Sequence, residues 1–178
     1  MRYCIIERTI AAACAATFLG FCIGACDSDS DNVLDSLSGS DRNKVEQAAG
    51  RYVDGTLKTV EEEREDGRNI YEIRWETVGG AVIKLELDRD DNCALLEAED
   101  EHGPFDYEFT PGDPLITLSA ALAAARNAQN GELQSWELEQ DESDGIWEYE
   151  FELIDGNGVE WEIEINAADG AVLKVKES

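Results

Sequence analysis

Residues 144–151 read Asp-Gly-Ile-Trp-Glu-Tyr-Glu-Phe and align without gaps on residues 66–73, Asp-Gly-Arg-Asn-Ile-Tyr-Glu-Ile, at an offset of 78. The offset persists downstream, where residues 161–165, Trp-Glu-Ile-Glu-Ile, align on residues 83–87, Ile-Lys-Leu-Glu-Leu. Self-similarity at a fixed spacing indicates two copies of one supersecondary unit. We therefore expect the fold to be assembled from two similar units.

The alignment extends toward both ends of each copy. Upstream, residues 55–57 align on residues 131–133 at an offset of 76, as a two-residue loop insertion would produce. Downstream, residues 93–95 align on residues 171–173 at the offset of 78. This alignment places Cys93 on an alanine, so we expect Cys93 to be a small core residue.

Each copy begins with apolar residues at helical spacing and continues with alternating apolar and polar residues. The two helical stripes are Val45, Ala48, Ala49, Tyr52 and Val53, and Leu118, Ala121, Leu122, Ala125 and Ala128. Ser40 is the expected N-cap of the first helix. Alternation is clearest over residues 147–153 and 159–165, with a glycine-containing turn between them. The fold class we expect is α+β, with two tandem units, each a helix packed on an antiparallel meander of three to four strands.

Composition divides the rest of the chain into a leader, a tether and a linker. All three prolines fall between the copies, and Phe105, Tyr107 and Phe109 alternate there, which predicts an extra edge strand on the first sheet. The predicted segments are a signal peptide over 1–25, a flexible acidic tether over 26–39, a first repeat over 40–97, a linker over 98–116 and a second repeat over 117–178.

The leader has the pattern of a secretory signal. Arg2 and Arg8 precede an apolar run over residues 9–25 that ends in small residues. The final Ile-Gly-Ala-Cys resembles a bacterial lipobox, in which Cys26 carries the lipid. We expect a lipoprotein on the periplasmic side of the cell envelope that contacts the membrane only through its lipid anchor. Ordinary cleavage after Ala25 and an uncleaved N-terminal anchor are the alternatives.

The charge of the chain excludes two classes of partner. Lys and Arg number 14 against 41 Asp and Glu, giving a net charge of -27. Such a chain repels nucleic-acid phosphates and anionic lipid headgroups. Basic proteins and cations are the partners that this charge favours.

The order of elements in each copy resembles the PepSY domain. The shared features are a helix, a glycine before the first strand, a Tyr-Glu-apolar strand (Tyr71-Glu72-Ile73 and Tyr149-Glu150-Phe151), a hairpin, and an Asp-Gly turn (Asp169-Gly170) before a short apolar strand. The first copy departs from the pattern with Asp91-Asn92, although Asn also tolerates the left-handed conformation. The resemblance covers residues 40–97 and 117–178. It implies a protein partner such as a peptidase, which the domain binds or inhibits without catalysis.

The outward side chains of the second hairpin are all glutamates. With a three-residue loop, the opposed pairs are Glu148 with Glu164, Glu150 with Glu162, and Glu152 with Glu160; a five-residue loop shifts the pairing by one pair. In the first copy, the same register sets Glu72 opposite Lys84 and Arg74 opposite Val82, without stacked like charges. Opposed like charges destabilise a sheet.

Two hypotheses follow from these six glutamates. One is that they bind a basic segment of a partner or divalent cations such as Ca²⁺. The other is that they form the solvated sheet face of a salt-adapted envelope protein. We expect no resident metal and no cofactor.

The sequence offers little material for catalysis. His102 is the only histidine, so every Ser-His-Asp or Cys-His arrangement would have to include it. Acidic residues are numerous, but no spacing singles out a catalytic pair. We therefore predict a protein without catalytic residues.

Overall fold

The computed structural model describes residues 37–65, 67–141 and 144–178. The predicted signal peptide, the predicted lipidation residue Cys26 and most of the predicted tether lie outside these residues. The described chain is an α+β protein with two helices and one eight-stranded antiparallel sheet. Across this part of the chain, neither helix has the length and apolar character needed to span a membrane.

One helix followed by four strands occurs twice along the chain. The elements are α1 (Gly39–Ala49), β1 (Gly55–Glu65), β2 (Arg68–Thr77), β3 (Val82–Asp88), β4 (Ala94–His102), α2 (Leu118–Ala128), β5 (Glu132–Gln140), β6 (Trp147–Ile154), β7 (Glu160–Asn166) and β8 (Val172–Glu177). The strands lie in the sheet in sequence order, each antiparallel to its neighbours, so β1 and β8 are the two edges. The two halves of the chain therefore share one sheet, which the sequence alone left open.

The halves of the sheet are joined by a short junction between β4 and β5. Only two residue pairs connect these strands, Ala98 with Leu138 and Glu99 with Glu137. Next to them the Asp100 side chain accepts a hydrogen bond from the backbone N–H of Trp136 at 2.5 Å. A side-chain acceptor thus takes the place of a ladder bond where the strand pairing stops.

A single core runs across this junction on the face that carries the helices. α1 buries Val45, Ala48 and Ala49, and α2 buries Leu118, Ala121 and Ala125. A chain of ring contacts follows the core, with centroid separations of 6.0 Å from Tyr52 to Phe109, 5.2 Å from Phe109 to Trp136, and 6.2 Å from Trp136 to Tyr149. Phe109 is fully buried between aromatic residues of both halves.

Several predicted boundaries were wrong. α1 begins at Gly39, because Ser38 and not Ser40 is the N-cap, with its Oγ accepting from the Asp41 N–H at 3.2 Å. The linker predicted from residue 98 begins later, since β4 extends to His102. Residues 105–109 form no edge strand on the first half of the sheet, because β5 occupies the place beside β4. Phe109 packs into the core instead.

The pairing register aligns the two halves more accurately than the sequence did. In β1–β2 the register shifts between Leu57 and Thr59, and in β5–β6 between Leu133 and Ser135, at equivalent positions. Ala98 lies opposite Leu85, whereas Val175 lies opposite Ile163. Strand β8 therefore corresponds to β4 at an offset of 77, one fewer than the sequence alignment gave.

The corrected offset changes the counterpart of Cys93. It aligns with Gly170 and not with Ala171, and both residues have positive φ, 56° and 75°. Asn92 also has a positive φ of 52°, as expected for a residue that tolerates the left-handed conformation. Cys93 is fully buried, in agreement with its predicted place in the core.

Candidate functional site

The β6–β7 hairpin has a five-residue loop, so the three-residue loop we preferred was wrong. The Asp155 carboxylate accepts backbone N–H groups of Asn157 at 2.8 Å and of Val159 at 3.0 Å. Gly158 takes a φ of 81°, and its N–H donates to the Asp155 carbonyl. The Asp155 side chain therefore organises a turn two residues longer than the loop we preferred.

This loop shifts the glutamate pairing by one pair, as the alternative register anticipated. Glu150 lies opposite Glu164, and Glu152 lies opposite Glu162. The pairs predicted for Glu148 and Glu160 are not formed, because these residues lie opposite Asn166 and Ile154. Two opposed glutamate pairs remain in the hairpin.

The first half also carries stacked like charges, contrary to our expectation. Glu72 lies opposite Glu86, not Lys84, and Arg74 lies opposite Lys84, not Val82. Glu86 in turn lies opposite Glu97 on β4. The hairpin between β2 and β3 is therefore also offset by one pair from the predicted register.

The sheet carries a larger carboxylate surface than the sequence predicted, on the side opposite the helices. We call it the acidic face and define it by the outward glutamates of β4–β7. They are Glu97, Glu99, Glu137, Glu139, Glu148, Glu150, Glu152, Glu162 and Glu164, with Glu160 at the margin. The first four were missed, although their alternation with Ala98 and Leu138 is the signal of a half-buried strand.

One row of this face crosses six strands. Its members lie opposite one another in the order Lys84, Glu99, Glu137, Glu150, Glu164 and Lys174. Neighbouring strands are about 4.8 Å apart, so four carboxylates stand side by side between two ammonium groups.

Ion pairs are confined to the two ends of this row. Lys84 Nζ lies 2.6 Å from Glu99, 3.0 Å from Glu97 and 3.3 Å from Glu86. At the other end, Lys174 contacts Glu164 at 2.5 Å and also pairs with Glu162. Among the residues that the structure describes, no lysine or arginine forms an ion pair with Glu137 or Glu150.

The carboxyl groups in the middle of the face are hard to ionise. Burial, followed by the charges of Glu97, Glu139 and Glu99, raises the pKa of Glu137 to about 7. Burial and the charge of Glu164 raise the pKa of Glu148 to about 7 as well. Hydrogen bonds from Lys174 lower the pKa of Glu162. Within the described part of the chain, Glu137 and Glu148 form no ion pair that would favour their ionised form. By contrast, Lys174 and Lys176 of β8 neutralise the carboxylates beside them.

Two groups of carboxylates converge closely enough to share a cation. Oxygen atoms of Glu97, Glu99 and Glu137 lie within 4.8 Å of one another, and so do those of Glu150, Glu162 and Glu164. Glu148, Glu152 and Glu160 of the predicted set belong to neither group. Hard carboxylate oxygens are the ligands that Ca²⁺ prefers.

A concavity of about 490 Å³ adjoins the acidic face, next to the β4–β5 junction. Its lining contains five acidic residues and one cation, Arg68, together with apolar residues such as Leu96 and Trp147, so the charge is negative on balance. Acidic and apolar groups together are suited to a long basic side chain, which has an apolar stem and a charged end.

The fold keeps His102 far from Cys93. Cys93 immediately precedes β4 and His102 ends it, so the strand separates them by roughly 30 Å. Burial raises the pKa of the Cys93 thiol, which disfavours the thiolate. The fold therefore excludes a pair between Cys93 and His102.

Comparison with known proteins supports the expected resemblance for the second half. Residues 115–176 match the family model PepSY, described as peptidase propeptide and YPEB domain. The matched region contains α2 and nearly all of β5–β8. PepSY domains are generally non-catalytic modules of propeptide or inhibitor type, and no enzymatic family is indicated.

Two other proteins are similar to a larger part of the chain. The uncharacterized protein YkoJ of Bacillus subtilis (strain 168) is 27% identical over 134 residues, which are 74% of this chain and 71% of YkoJ. A solved structure of a candidate lipoprotein from Clostridium difficile 630 is 18% identical, with a TM-score of 0.37. It covers 78% of this chain and 91% of its own.

Proposed function

We propose that the chain is a non-catalytic lipoprotein of the cell envelope that binds a protein partner, such as a peptidase, and modulates it through the acidic face. The observation that carries this proposal is the row from Glu99 to Glu164, in which four opposed carboxylates have cations only at the ends. The PepSY match supports a protein-binding role.

Opposed carboxylates reduce the stability of the sheet, so the arrangement acts against folding unless a positive group neutralises it. A partner arginine placed over Glu137 and Glu150 would supply that group and form charge-assisted hydrogen bonds to both. The neighbouring concavity would hold a second basic side chain. We therefore infer that the partner presents a basic segment with at least two positive residues.

The tethering part of the proposal rests on the sequence. Residues 1–25 would be removed as a signal peptide, and Cys26 would carry the lipid that holds the protein at the periplasmic side of the membrane. The acidic segment after Cys26 would separate the folded sheet from the lipid surface. Residues 40–97 and 117–178 would be two copies of one PepSY-like unit, as the repeated order of elements suggests.

The experiment that tests the acidic face is capture of binding proteins from the envelope extract of the source organism at two salt concentrations. The bait is the natural chain or the double variant Glu137→Gln/Glu150→Gln. The matched control, Asp54→Asn/Asp91→Asn, removes the same charge from exposed positions outside the strands that carry the face.

We expect a basic protein that the natural chain and the control retain at low salt and release at high salt, and that the face variant fails to retain. Equal retention by all three baits would refute binding through the acidic face. No retained protein with any bait would favour the salt-adapted surface.

Cation binding is the second candidate function, and the two convergent carboxylate groups favour it. Ca²⁺ bound to Glu150, Glu162 and Glu164 would stabilise the folded chain increasingly as its concentration rises. Thermal unfolding with Ca²⁺ and with NaCl at equal ionic strength separates this function from charge screening. A rise in Tm specific to Ca²⁺, abolished by Glu150→Gln, supports it, whereas equal effects of both salts contradict it.

A further inference from the structure

The two edges of the sheet differ in charge and in exposed apolar surface. Strand β8 exposes three large apolar side chains, Val172, Leu173 and Val175, each more than 40% accessible. It also carries Lys174 and Lys176 on the outward face. Strand β1 presents the run Glu61-Glu62-Glu63 on the opposite edge, and all three side chains are exposed.

The β4–β5 junction shows how two strands of these kinds pair. In the two halves, β4 corresponds to β8, because Ala98 and Val175 lie opposite the equivalent residues Leu85 and Ile163. In the same way β5 corresponds to β1. Within the chain β4 meets β5, whereas β8 and β1 have no neighbour on their outer sides among the described strands.

The register of the junction can be transferred to the free edges. Trp136 lies opposite Phe151, and Val60 lies opposite Ile73, so Val60 corresponds to Trp136 and Glu61 to Glu137. The pairs Ala98–Leu138 and Glu99–Glu137 then become Val175–Glu62 and Lys176–Glu61. One step further along, Lys174 faces Glu63.

This transfer replaces like charges by opposite charges. Within the chain the junction sets Glu99 against Glu137. Between the free edges it would set both lysines of β8 against glutamates of β1, and opposite charges across an antiparallel pair are stabilising. Both partners lie on the outward face, so their side chains would meet on the same side of the sheet.

We propose that the chain associates head to tail with a second copy of itself, by antiparallel pairing of β8 of one copy with β1 of the next. The sheet then continues from molecule to molecule through a contact with the same register as its own β4–β5 junction. Such a heterologous contact leaves one free edge at each end, so copies add in series or close into a ring. The backbone groups along the outer side of β8 then form hydrogen bonds, which removes an unprotected edge.

Disulfide trapping in cells tests this pairing on the full chain. Two differently tagged copies are produced together, one with Glu62→Cys and the other with Val175→Cys, and the cells are treated with a mild oxidant. Residues opposed across an antiparallel pair have Cα atoms about 4.5–5.5 Å apart, within the range that a disulfide spans. We expect a disulfide-linked dimer that contains both tags.

The baseline is the same pair of tagged chains without introduced cysteines, because Cys93 is buried and the other natural cysteines precede residue 27. A second control combines Val175→Cys with Arg42→Cys, an exposed position on α1. A Val175→Cys chain that links to itself as efficiently as to Glu62→Cys would overturn the proposal. So would a mixed dimer no more abundant than with Arg42→Cys, or a product linked only to another protein.

A charge exchange between copies tests the register. Lys174→Glu/Lys176→Glu in the Val175→Cys copy should lower the yield of the mixed dimer roughly tenfold. Glu61→Lys/Glu63→Lys in the other copy should restore it. Because the restoring change is made in the other molecule, it cannot repair a folding defect caused by the loss of Lys174, which also pairs with Glu162 and Glu164. Failure to restore the yield would overturn the proposed register.

Discussion

Glu137 on β5 lies directly opposite Glu150 on β6, and neither side chain has an ion pair with a lysine or arginine in the part of the chain that the structure describes. Both glutamates stand on strands whose alternate residues are buried, such as Trp136 and Phe151. The backbone therefore fixes the Cβ atoms of the two glutamates next to each other, so the strand pairing cannot slip to separate them.

Replacing one member of this pair should stabilise the protein. We expect Glu137→Gln to increase the free energy of unfolding at pH 8 by about 1 kcal/mol, because it removes a like-charge contact and keeps the volume of the side chain. Urea unfolding followed by tryptophan fluorescence measures this change. Glu132→Gln is the control and should stay within about 0.5 kcal/mol of the natural chain, since its position is exposed. A loss of stability in Glu137→Gln would contradict the inference that the opposed pair is unfavourable.

The stability of the folded chain should fall between pH 5 and pH 8. Burial, followed by the charges of Glu97, Glu139, Glu99 and Glu150, raises the pKa of Glu137 from 4.5 to about 7. The folded state therefore holds this proton more tightly than the unfolded state. The contribution of this proton to the free energy of unfolding is complete below the pKa that Glu137 has in the unfolded chain. It is lost as the pH rises through the pKa of about 7 that Glu137 has in the folded chain.

Urea midpoints measured at half-unit intervals of pH should show this decline. The decline should be shallower in Glu137→Gln, which has no proton to lose at this position. Parallel curves for the variant and the natural chain would show that Glu137 titrates normally.

Lys84 should be far more important for stability than an exposed lysine. It contacts Glu86, Glu97 and Glu99, and only 17% of its side chain is exposed. We expect Lys84→Gln to lower the free energy of unfolding by about 2 kcal/mol, because three half-buried carboxylates lose their shared cation. Lys58→Gln is the matched control and should cost less than about 0.5 kcal/mol, since the pair between Lys58 and Glu76 is more exposed. Equal losses in both variants would show that the burial of Lys84 adds nothing.

Phe109 should stabilise both halves at once. Its ring contacts Tyr52 from the first half and Trp136 from the second. We expect Phe109→Ala to cost about 4 kcal/mol, as a large cavity opens in the shared core. Phe105→Ala, at an exposed position of the same segment, should cost less than about 1 kcal/mol. Calorimetry of the natural chain should show one transition, and two separate transitions would contradict a shared core.

The sequence predicted the local elements better than their pairing. The strands over residues 147–153 and 159–165 were predicted because strict alternation is a property of neighbouring residues. The hairpin register was wrong because it depends on the side chain of Asp155, which bonds two backbone groups and widens the loop. A shift of one residue pair moved the partners of every glutamate in the hairpin.

The larger part of the acidic face was missed for a different reason. Glu99 and Glu137 become neighbours only when β4 pairs with β5, and residues 103–131 separate these strands. No turn motif predicts a pairing over that distance. The aromatic residues of the connection were assigned to an edge strand, whereas Phe109 is buried in the core and Phe105 is exposed.

The order of the strands has a consequence for how fast the protein folds. Every neighbouring pair except β4–β5 is joined by a short turn, so most of the sheet can form by successive local closures. Chains dominated by such short-range pairings fold faster than sheets built from distant strands. The β4–β5 junction requires closure of the long connection, which costs conformational entropy. Only two residue pairs of the sheet form when it closes. Its formation should therefore be the slow step, and variants of Asp100 should change the refolding rate more than variants within either hairpin.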